Sequence, residues 1–191
     1  MIRFTPTENS QPKVGDILLS EPFLNDPYFG RKAVLICEYN DDGAFGLVLN
    51  NFVEFNAGEL HLGLSEISTR ISIGGPVNSS SLYFIHICGD LEGAVEIIDG
   101  VFLGGDFDSL KEKINNGLSS DNYRLFIGYS GWDKDQLMDE IKTRSWFVTQ
   151  ISASKIMSSN TDNEKYWQEL IKGMGKGYEH IADAPIDPSL N

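Results

Sequence analysis

Basic side chains are scarce in this sequence. It contains 15 Lys and Arg residues against 28 Asp and Glu residues in 191, which gives a formal net charge of −13. Nucleic acids are bound chiefly through Lys and Arg side chains that neutralise phosphates, so this composition argues against direct DNA binding. A hydrophobic fraction of 41% is nevertheless ample for a buried core, and the chain is expected to fold.

Cysteine is almost absent as well. Cys37 and Cys88 each lie in an apolar run and form no CxxC pair, a setting typical of reduced core thiols rather than of disulfides or zinc ligands. We expect no metal and no cofactor.

Long apolar stretches and an apolar leader are also missing, so neither secretion nor membrane spanning is favoured and a cytoplasmic location is expected. No linker or repeat interrupts the chain. We predict one domain over residues 1–191, frayed at 1–13 and with an irregular tail from about 177 to 191.

The negative charge is concentrated in the middle of the chain. Between residues 33 and 110 there are twelve acidic side chains and a single basic one, Arg70. Two interpretations remain open: solvated acids that keep the protein soluble, or a face that receives a basic partner such as a cationic protein surface.

Short apolar runs separated by turn residues predict antiparallel strands. Asn40 to Gly43 supplies the turn of one hairpin, and Asp99-Gly100 supplies the turn of a second. The predicted strands cover residues 16–20, 33–38, 45–49, 71–73, 82–88, 95–98, 101–103 and 125–129.

Three helices follow later in the chain. Phe107, Leu110 and Ile114 recur at helical spacing after an Asp N-cap at 106 or 108. Asp133 and Gln136 resemble a capping box for a helix up to Arg144, and Thr161 or Asp162 caps a last helix containing Trp167, Leu170, Ile171 and Met174. Strands early and helices late predict an α+β fold.

The strongest catalytic pattern is Gly128-Tyr129-Ser130-Gly131-Trp132, which resembles a nucleophile elbow at a turn from strand to helix. The second glycine of that motif is replaced by Trp132, and a base would have to come from His86 or His180. A structural turn is the alternative. His86 itself alternates with Phe84 and Cys88 in a predicted strand, which favours a hydrogen-bonded, half-buried histidine over a base or ligand.

Two glycine pairs invite a phosphate-binding interpretation. Gly104-Gly105 precedes a helix, whose N-terminal N–H groups could attract a phosphate, but Asp106 and Asp108 lie at that same end and would repel it. Gly74-Gly75-Pro76-Val77 is typical of a tight turn.

Four blocks taken together resemble the YqgE/AlgH family, over about residues 15–175. They comprise residues 15–50 with the runs GDILL, DPYF, VLICE and GAFGLVLN; GGPV at 74–77 with Phe84-Ile85-His86; residues 128–132 with Gln136, Leu137 and Glu140; and Trp146 followed by Trp167.

The resemblance implies a small bacterial cytosolic protein with an α+β fold, built on a mainly antiparallel, bifurcated or partly barrel-like sheet flanked by about three to five helices. Members are often labelled transcriptional regulators. The chain departs from the family pattern at Asp133-Lys134-Asp135, where Gly-Pro-Gly is usual, at Ser130, where alanine is common, and at Asn51-Phe52.

We therefore expect a non-enzymatic regulatory protein that acts indirectly, through a protein or small-ligand partner. The alternatives are a hydrolase using His86 or Ser130 and a direct DNA binder. A site, if present, is expected where the matched blocks converge. Its predicted residues are Asn50, Gly74, Gly75, Pro76, His86, Tyr129, Gly131 and Trp132, with Tyr129 and Trp132 as apolar walls and Asn50 and His86 as polar contacts.

Overall fold

The computed structural model describes residues 11–53, 70–159 and 161–185. Its strands are β1 (Ile17–Ser20), β2 (Ala33–Asn40), β3 (Gly43–Val48), β4 (Phe52–Val53), β5 (Ile71–Ile73), β6 (Val77–His86), β7 (Val95–Ile98), β8 (Val101–Leu103), β9 (Tyr123–Asp133) and β10 (Trp146–Thr149). Its α-helices are α1 (Phe107–Asn115), α2 (Gln136–Lys142), α3 (Ala153–Met157), α4 (Asn163–Gly173) and α5 (Glu179–Ala182), and a 3-10 turn covers Ser120–Asn122.

The ten strands form one open sheet in the order β10-β1-β2-β3-β9-β6-β8-β7, with β4 and β5 off this path. Every pairing is antiparallel except that between β5 and β9. The α+β fold and its mainly antiparallel sheet are confirmed, and five helices flank the sheet. Both predicted hairpins are present, as β2–β3 and β7–β8.

The sheet forks along β9. The first half of this strand pairs with β5 through residues 125–127, whereas its last four residues, 130–133, pair with β3. On its other edge β9 pairs with β6. This fork is the expected bifurcation, and it leaves the sheet open rather than closed into a barrel.

Two glycines permit the close backbone crossing at the fork. A Cβ on Gly75, at φ +154°, would lie 2.3 Å from the backbone of Tyr129, and one on Gly128, at φ +69°, would lie 2.6 Å from the Gly75 carbonyl oxygen. Because real Cβ atoms do not approach backbone so closely, both glycines are structural requirements of the crossing.

Apolar side chains cover the sheet in three clusters. The largest packs β1–β3 against α4, whose Trp167, Leu170 and Ile171 are buried as their helical spacing predicts. Leu110 and Ile114 of α1 belong to a second cluster, and Leu137 of α2 belongs to a third. The three predicted helices are thus confirmed, with Asp106 and Asp162 as side-chain N-caps.

Three local expectations differ from the structure. Gly128 to Trp132 lies inside β9, which continues to Asp133, so the predicted turn from strand to helix at these residues is wrong. Gln136 accepts a hydrogen bond from the Asp133 backbone N–H at 3.0 Å, but α2 begins only at Gln136. Within the tail expected to be irregular, Glu179–Ala182 is helical.

Across the parts of the chain that the structure describes, no helix has the length and apolar character needed to cross a membrane.

Candidate functional site

An open groove of about 610 Å³ lies where the β2–β3 hairpin meets the start of β6 and the end of β9. Four strands contribute to it because β9 pairs with β3 on one edge and with β6 on the other. Its lining residues are Glu38, Asn40, Asp42, Gly43, Ala44, Phe45, Val77, Asn78, Tyr83, Tyr129, Gly131, Trp132 and Asp133.

Three aromatic rings from three different strands meet in this groove. The centroids of Phe45 and Tyr129 lie 4.9 Å apart, those of Phe45 and Tyr83 5.3 Å, and those of Tyr83 and Tyr129 5.5 Å. All three side chains are half-buried against the main core. We call these three residues the aromatic trio.

Gly131 keeps space open beside the trio. In the sheet register it lies directly opposite Phe45, which in turn lies opposite Glu38. A Cβ on Gly131 would lie 3.1 Å from Cε2 of Tyr129 and 3.9 Å from Cγ2 of Val77. A larger side chain at this position would therefore project into the groove.

Three carboxylates, Glu38, Asp42 and Asp133, stand at the rim and are exposed. Among the lining residues that the structure describes there is no Lys, Arg or His. Among the described residues, no ion pair involves any of these three acids. The groove therefore carries uncompensated negative charge around an aromatic floor.

Trp132 does not form the expected aromatic wall. Successive strand residues point to opposite faces, so the Trp132 indole lies on the other side of the sheet from Gly131 and is buried in the cluster under α2. Its Nε1 donates to Glu140 Oε2 at 2.8 Å, and Trp146 Nε1 donates to the same oxygen at 2.8 Å. This shared carboxylate fixes both indoles as structural side chains.

His86 is completely buried, not half-buried, and both ring nitrogens are occupied. Nε2 lies 2.8 Å from the Gly104 carbonyl oxygen, and Nδ1 accepts a hydrogen bond from the Cys88 backbone N–H at 3.1 Å. These contacts assign the neutral tautomer with the proton on Nε2. His86 is therefore a hydrogen-bonded core histidine, as its position in the sequence favoured.

Asn50 is buried and fully hydrogen-bonded too. Its Oδ1 accepts from the Ala33 N–H at 2.7 Å, and its Nδ2 donates to the carbonyls of Arg31 at 2.9 Å and Asn163 at 2.7 Å. The side chain joins the end of β3 to the start of α4 and does not line the groove.

Ser130 is buried, and its Oγ donates to the Gly74 carbonyl at 3.1 Å. In the register His86 lies opposite Tyr123, seven positions from Ser130, or roughly 23 Å along β9 at strand spacing. A base must lie within about 3 Å of its nucleophile, or one water away, so His86 does not serve Ser130.

Gly74 and Gly75 are buried at the fork, and Pro76 is exposed in the turn between β5 and β6. The Gly74 N–H donates to Ile127 at 2.8 Å, and its carbonyl accepts from Val48 at 2.9 Å. Of the eight predicted site residues, the structure brings Tyr129, Gly131 and the backbone of Trp132 to the groove. The other five do not line it.

A second region of buried polar chemistry surrounds the segment from α3 to α4. Arg124 donates to the carbonyls of Leu49 and Ile156 and to Ser72 Oγ, and Arg70 donates to the carbonyls of Ser159 and Thr161. Arg31 pairs with Glu164 at 2.9 Å. We call Arg31, Arg70 and Arg124 the arginine clamp.

The clamp holds a cation in an apolar setting. Burial lowers the pKa of the Arg124 guanidinium to about 10, and the nearby Tyr166 opposes that shift. Burial likewise raises the pKa of Tyr166 to about 12, and the Arg124 charge opposes it. The clamp hydrogen bonds go to backbone carbonyls, Ser72 and Glu164, and they tie the sheet to the segment from α3 to α4.

A second cavity, of about 450 Å³, lies between α3 and α4. Its two charged lining residues, Lys155 and Glu169, pair with each other. It therefore offers no net charge to a ligand.

The described residues hold no group of three or more His, Cys, Asp or Glu side chains placed to bind a metal ion. Burial raises the pKa of the Cys37 thiol far above its usual range, so this core cysteine remains an unreactive thiol.

Comparison with known proteins decides the family. The AlgH-like family model matches residues 17–179. This chain belongs to the AlgH-like family. It is 39% identical over 180 residues to a UPF0301 protein of Cytophaga hutchinsonii, covering 93% of this chain and 98% of that protein. A UPF0301 protein of Bacteroides thetaiotaomicron is 34% identical over 187 residues, covering 97% and 94%.

Two solved structures share the fold of this AlgH-like protein. A crystal structure of a Corynebacterium diphtheriae protein has a TM-score of 0.75 at 21% identity, covering 94% of this chain and 96% of that one. The solution structure of the AlgH protein from Pseudomonas aeruginosa has a TM-score of 0.69 at 22% identity, covering 93% and 97%. These family and protein names assign no enzymatic activity.

Sequence reasoning missed Phe45, Tyr83 and Glu38 as groove residues. In the sequence Phe45 and Tyr83 resemble any other apolar residue of a strand, and Glu38 is one of many acidic residues. The available signal was strand alternation, which places Tyr129 and Gly131 on one face and Trp132 on the other.

Proposed function

We propose that this AlgH-like protein is a non-enzymatic cytoplasmic regulator that acts indirectly, by binding a partner in the groove between the β2–β3 hairpin and β6. The observation that carries this proposal is the groove itself, with half-buried aromatic rings and exposed carboxylates at an open surface. Partly exposed aromatic side chains beside charged groups are typical of recognition surfaces.

The side chains best suited to catalysis have other tasks. The Ser130 hydroxyl and both nitrogens of His86 are occupied by backbone groups. A binding role needs neither of them to be free, whereas a hydrolase would need both in contact.

The distribution of cations supports indirect regulation. Arg31 and Arg124, two of the 15 basic residues, are buried in the arginine clamp and are therefore withheld from phosphates. We expect no retention of duplex DNA in a gel shift at low salt and micromolar protein. Retention that falls steeply with added salt would instead show direct DNA binding.

Site-specific photo-crosslinking in cells tests the partner. A benzoylphenylalanine at Val77, on the groove, is compared with one at Val95, a valine in edge strand β7 that is 60% exposed. We expect a discrete crosslinked product from position 77 that disappears when Gly131→Val fills the groove. Equal products from positions 77 and 95, or products unaffected by Gly131→Val, would contradict the proposal.

A further inference from the structure

We propose that the groove receives a cationic side chain, arginine or lysine, carried by an extended basic segment of a protein partner. This inference rests on the proposed function and names the chemistry of the partner at the same site.

Charge complementarity is the first support. Glu38, Asp42 and Asp133 surround the groove, and the described part of its lining holds no counter-charge. The three acids belong to different places in the chain: β2, the hairpin turn and the end of β9. In the register Asp133 lies opposite Gly43, next to Asp42, so two of these acids flank one corner. An incoming cation meets attraction from both sides of the opening.

The aromatic trio is the second support. Cations are attracted to the faces of aromatic rings, and guanidinium groups also stack on them. Phe45 sits in one cross-strand row between Glu38 and Gly131, so a carboxylate, a ring and an open space are adjacent. Directly opposite residues in antiparallel strands have Cβ atoms about 5 Å apart, within reach of one long basic side chain.

The shape of the groove favours an extended segment. The register of β6 against β9 shifts between Val77 and Leu82, and residues 77–80 are exposed. Val77 and Asn78 line this side of the groove, and the exposed strand continues from them to residue 80. A chain, and not only a small ion, therefore has room to lie beside the trio.

Titration of the protein with a short acetylated and amidated peptide of alternating glycine and arginine tests the proposal. The control peptide carries citrulline, which keeps the shape of arginine but is neutral. Calorimetry gives the affinity, and amide chemical shifts give the site. We expect the arginine peptide to shift Phe45, Tyr83 and Tyr129 and to bind at least about tenfold more tightly than the citrulline peptide.

Two groove variants and one matched control locate the effect. Glu38→Gln, Asp42→Asn and Asp133→Asn together remove the rim charge, and Gly131→Val fills the space without changing charge. Asp99→Asn, Glu112→Gln and Asp121→Asn together remove the same charges from exposed positions outside the groove. We expect each groove variant to weaken binding at least about tenfold and the control to retain it within about twofold.

Equal affinity for the arginine and citrulline peptides would overturn the inference. So would an equal loss of affinity in the triple variant of the groove acids (the rim triple) and in the triple variant at positions 99, 112 and 121 (the control triple). Free guanidinium or tetramethylammonium binding as tightly as the peptide would replace the protein partner with a small cation. If crosslinking from position 77 is lost with Gly131→Val but retained with the rim triple, the partner binds in the groove without using the charge. That result overturns the cationic assignment while leaving the proposed function in place.

Discussion

Around the α3–α4 segment three arginines turn toward backbone carbonyls and one carboxylate, whereas at the β2–β3 hairpin three carboxylates that form no ion pair with any described residue stand beside aromatic rings. Both regions combine charge with aromatic side chains, since Arg124 lies 5.0 Å from the ring centroids of Phe52 and Phe126. In the clamp Arg31 and Arg124 are buried, and their terminal guanidinium nitrogens donate to other groups of the protein. In the groove the charge is exposed and available.

The positions of the charges say more about which region can bind a ligand than the net charge of −13 does. A buried guanidinium organises the backbone around it but contributes no surface for a ligand. Because cations are withdrawn to the interior, the surface is more acidic than the composition alone indicates. We therefore expect substitutions in the clamp to change stability but not binding, and substitutions in the groove to change binding but not stability.

Arg124→Met should cause the largest loss of stability, about 3 kcal/mol, because it leaves the buried carbonyls of Leu49 and Ile156 without their donor. Urea unfolding followed by tryptophan fluorescence measures it. Arg144→Met is the control, since that side chain is exposed. A loss no larger than that of the control would show that the clamp is dispensable.

Glu140→Leu should cost about 2 kcal/mol, because the indole N–H groups of Trp132 and Trp146 lose their common acceptor. The same unfolding experiment applies, with Glu112→Leu on the exposed face of α1 as the control. Peptide binding should persist, because the Trp132 indole faces away from the groove. Abolished binding in a folded variant would instead make Trp132 part of the recognition surface.

Alkaline pH should act on the clamp through Tyr166. The pKa of Tyr166 in the folded protein, about 12, exceeds the ordinary value of 10.0. The stability that the neutral phenol contributes is therefore fully present below about pH 10 and is lost as the pH rises through about 12. Relative to Tyr166→Phe, the wild type should lose about 1–2 kcal/mol more between these pH values. Parallel stability curves for the two proteins would contradict this role.

The smallest effect on stability is expected in the groove. Replacing Glu38, Asp42 and Asp133 by their amides should change the free energy of unfolding by less than about 0.5 kcal/mol, because all three are exposed and none forms an ion pair with a described residue. The control triple at positions 99, 112 and 121 should behave alike in denaturation. A loss comparable with that of Arg124→Met would end the distinction between the two regions.

Much of the fold follows from local patterns. Turn residues such as Asp99-Gly100 and capping residues such as Asp106 act on their immediate neighbours, so the hairpins and helices could be predicted. The prediction was wrong where one segment fits two kinds of local structure, a turn into a helix or a continuing strand. The run from Gly128 to Trp132 resembles an elbow, but its pairing with β3 and β6 makes it part of strand β9.

The sequence by itself determined the α+β class, the family resemblance and the unfavourable charge for nucleic acid, because composition, periodicity and turn chemistry are properties of neighbouring residues. Only the tertiary structure decided that Phe45, Tyr83 and Tyr129 meet, that Asn50 and His86 are occupied, and that Trp132 faces away. Those outcomes depend on strand register and on the fork at β9, which join residues distant in the chain and reverse the face of a side chain with a shift of one position.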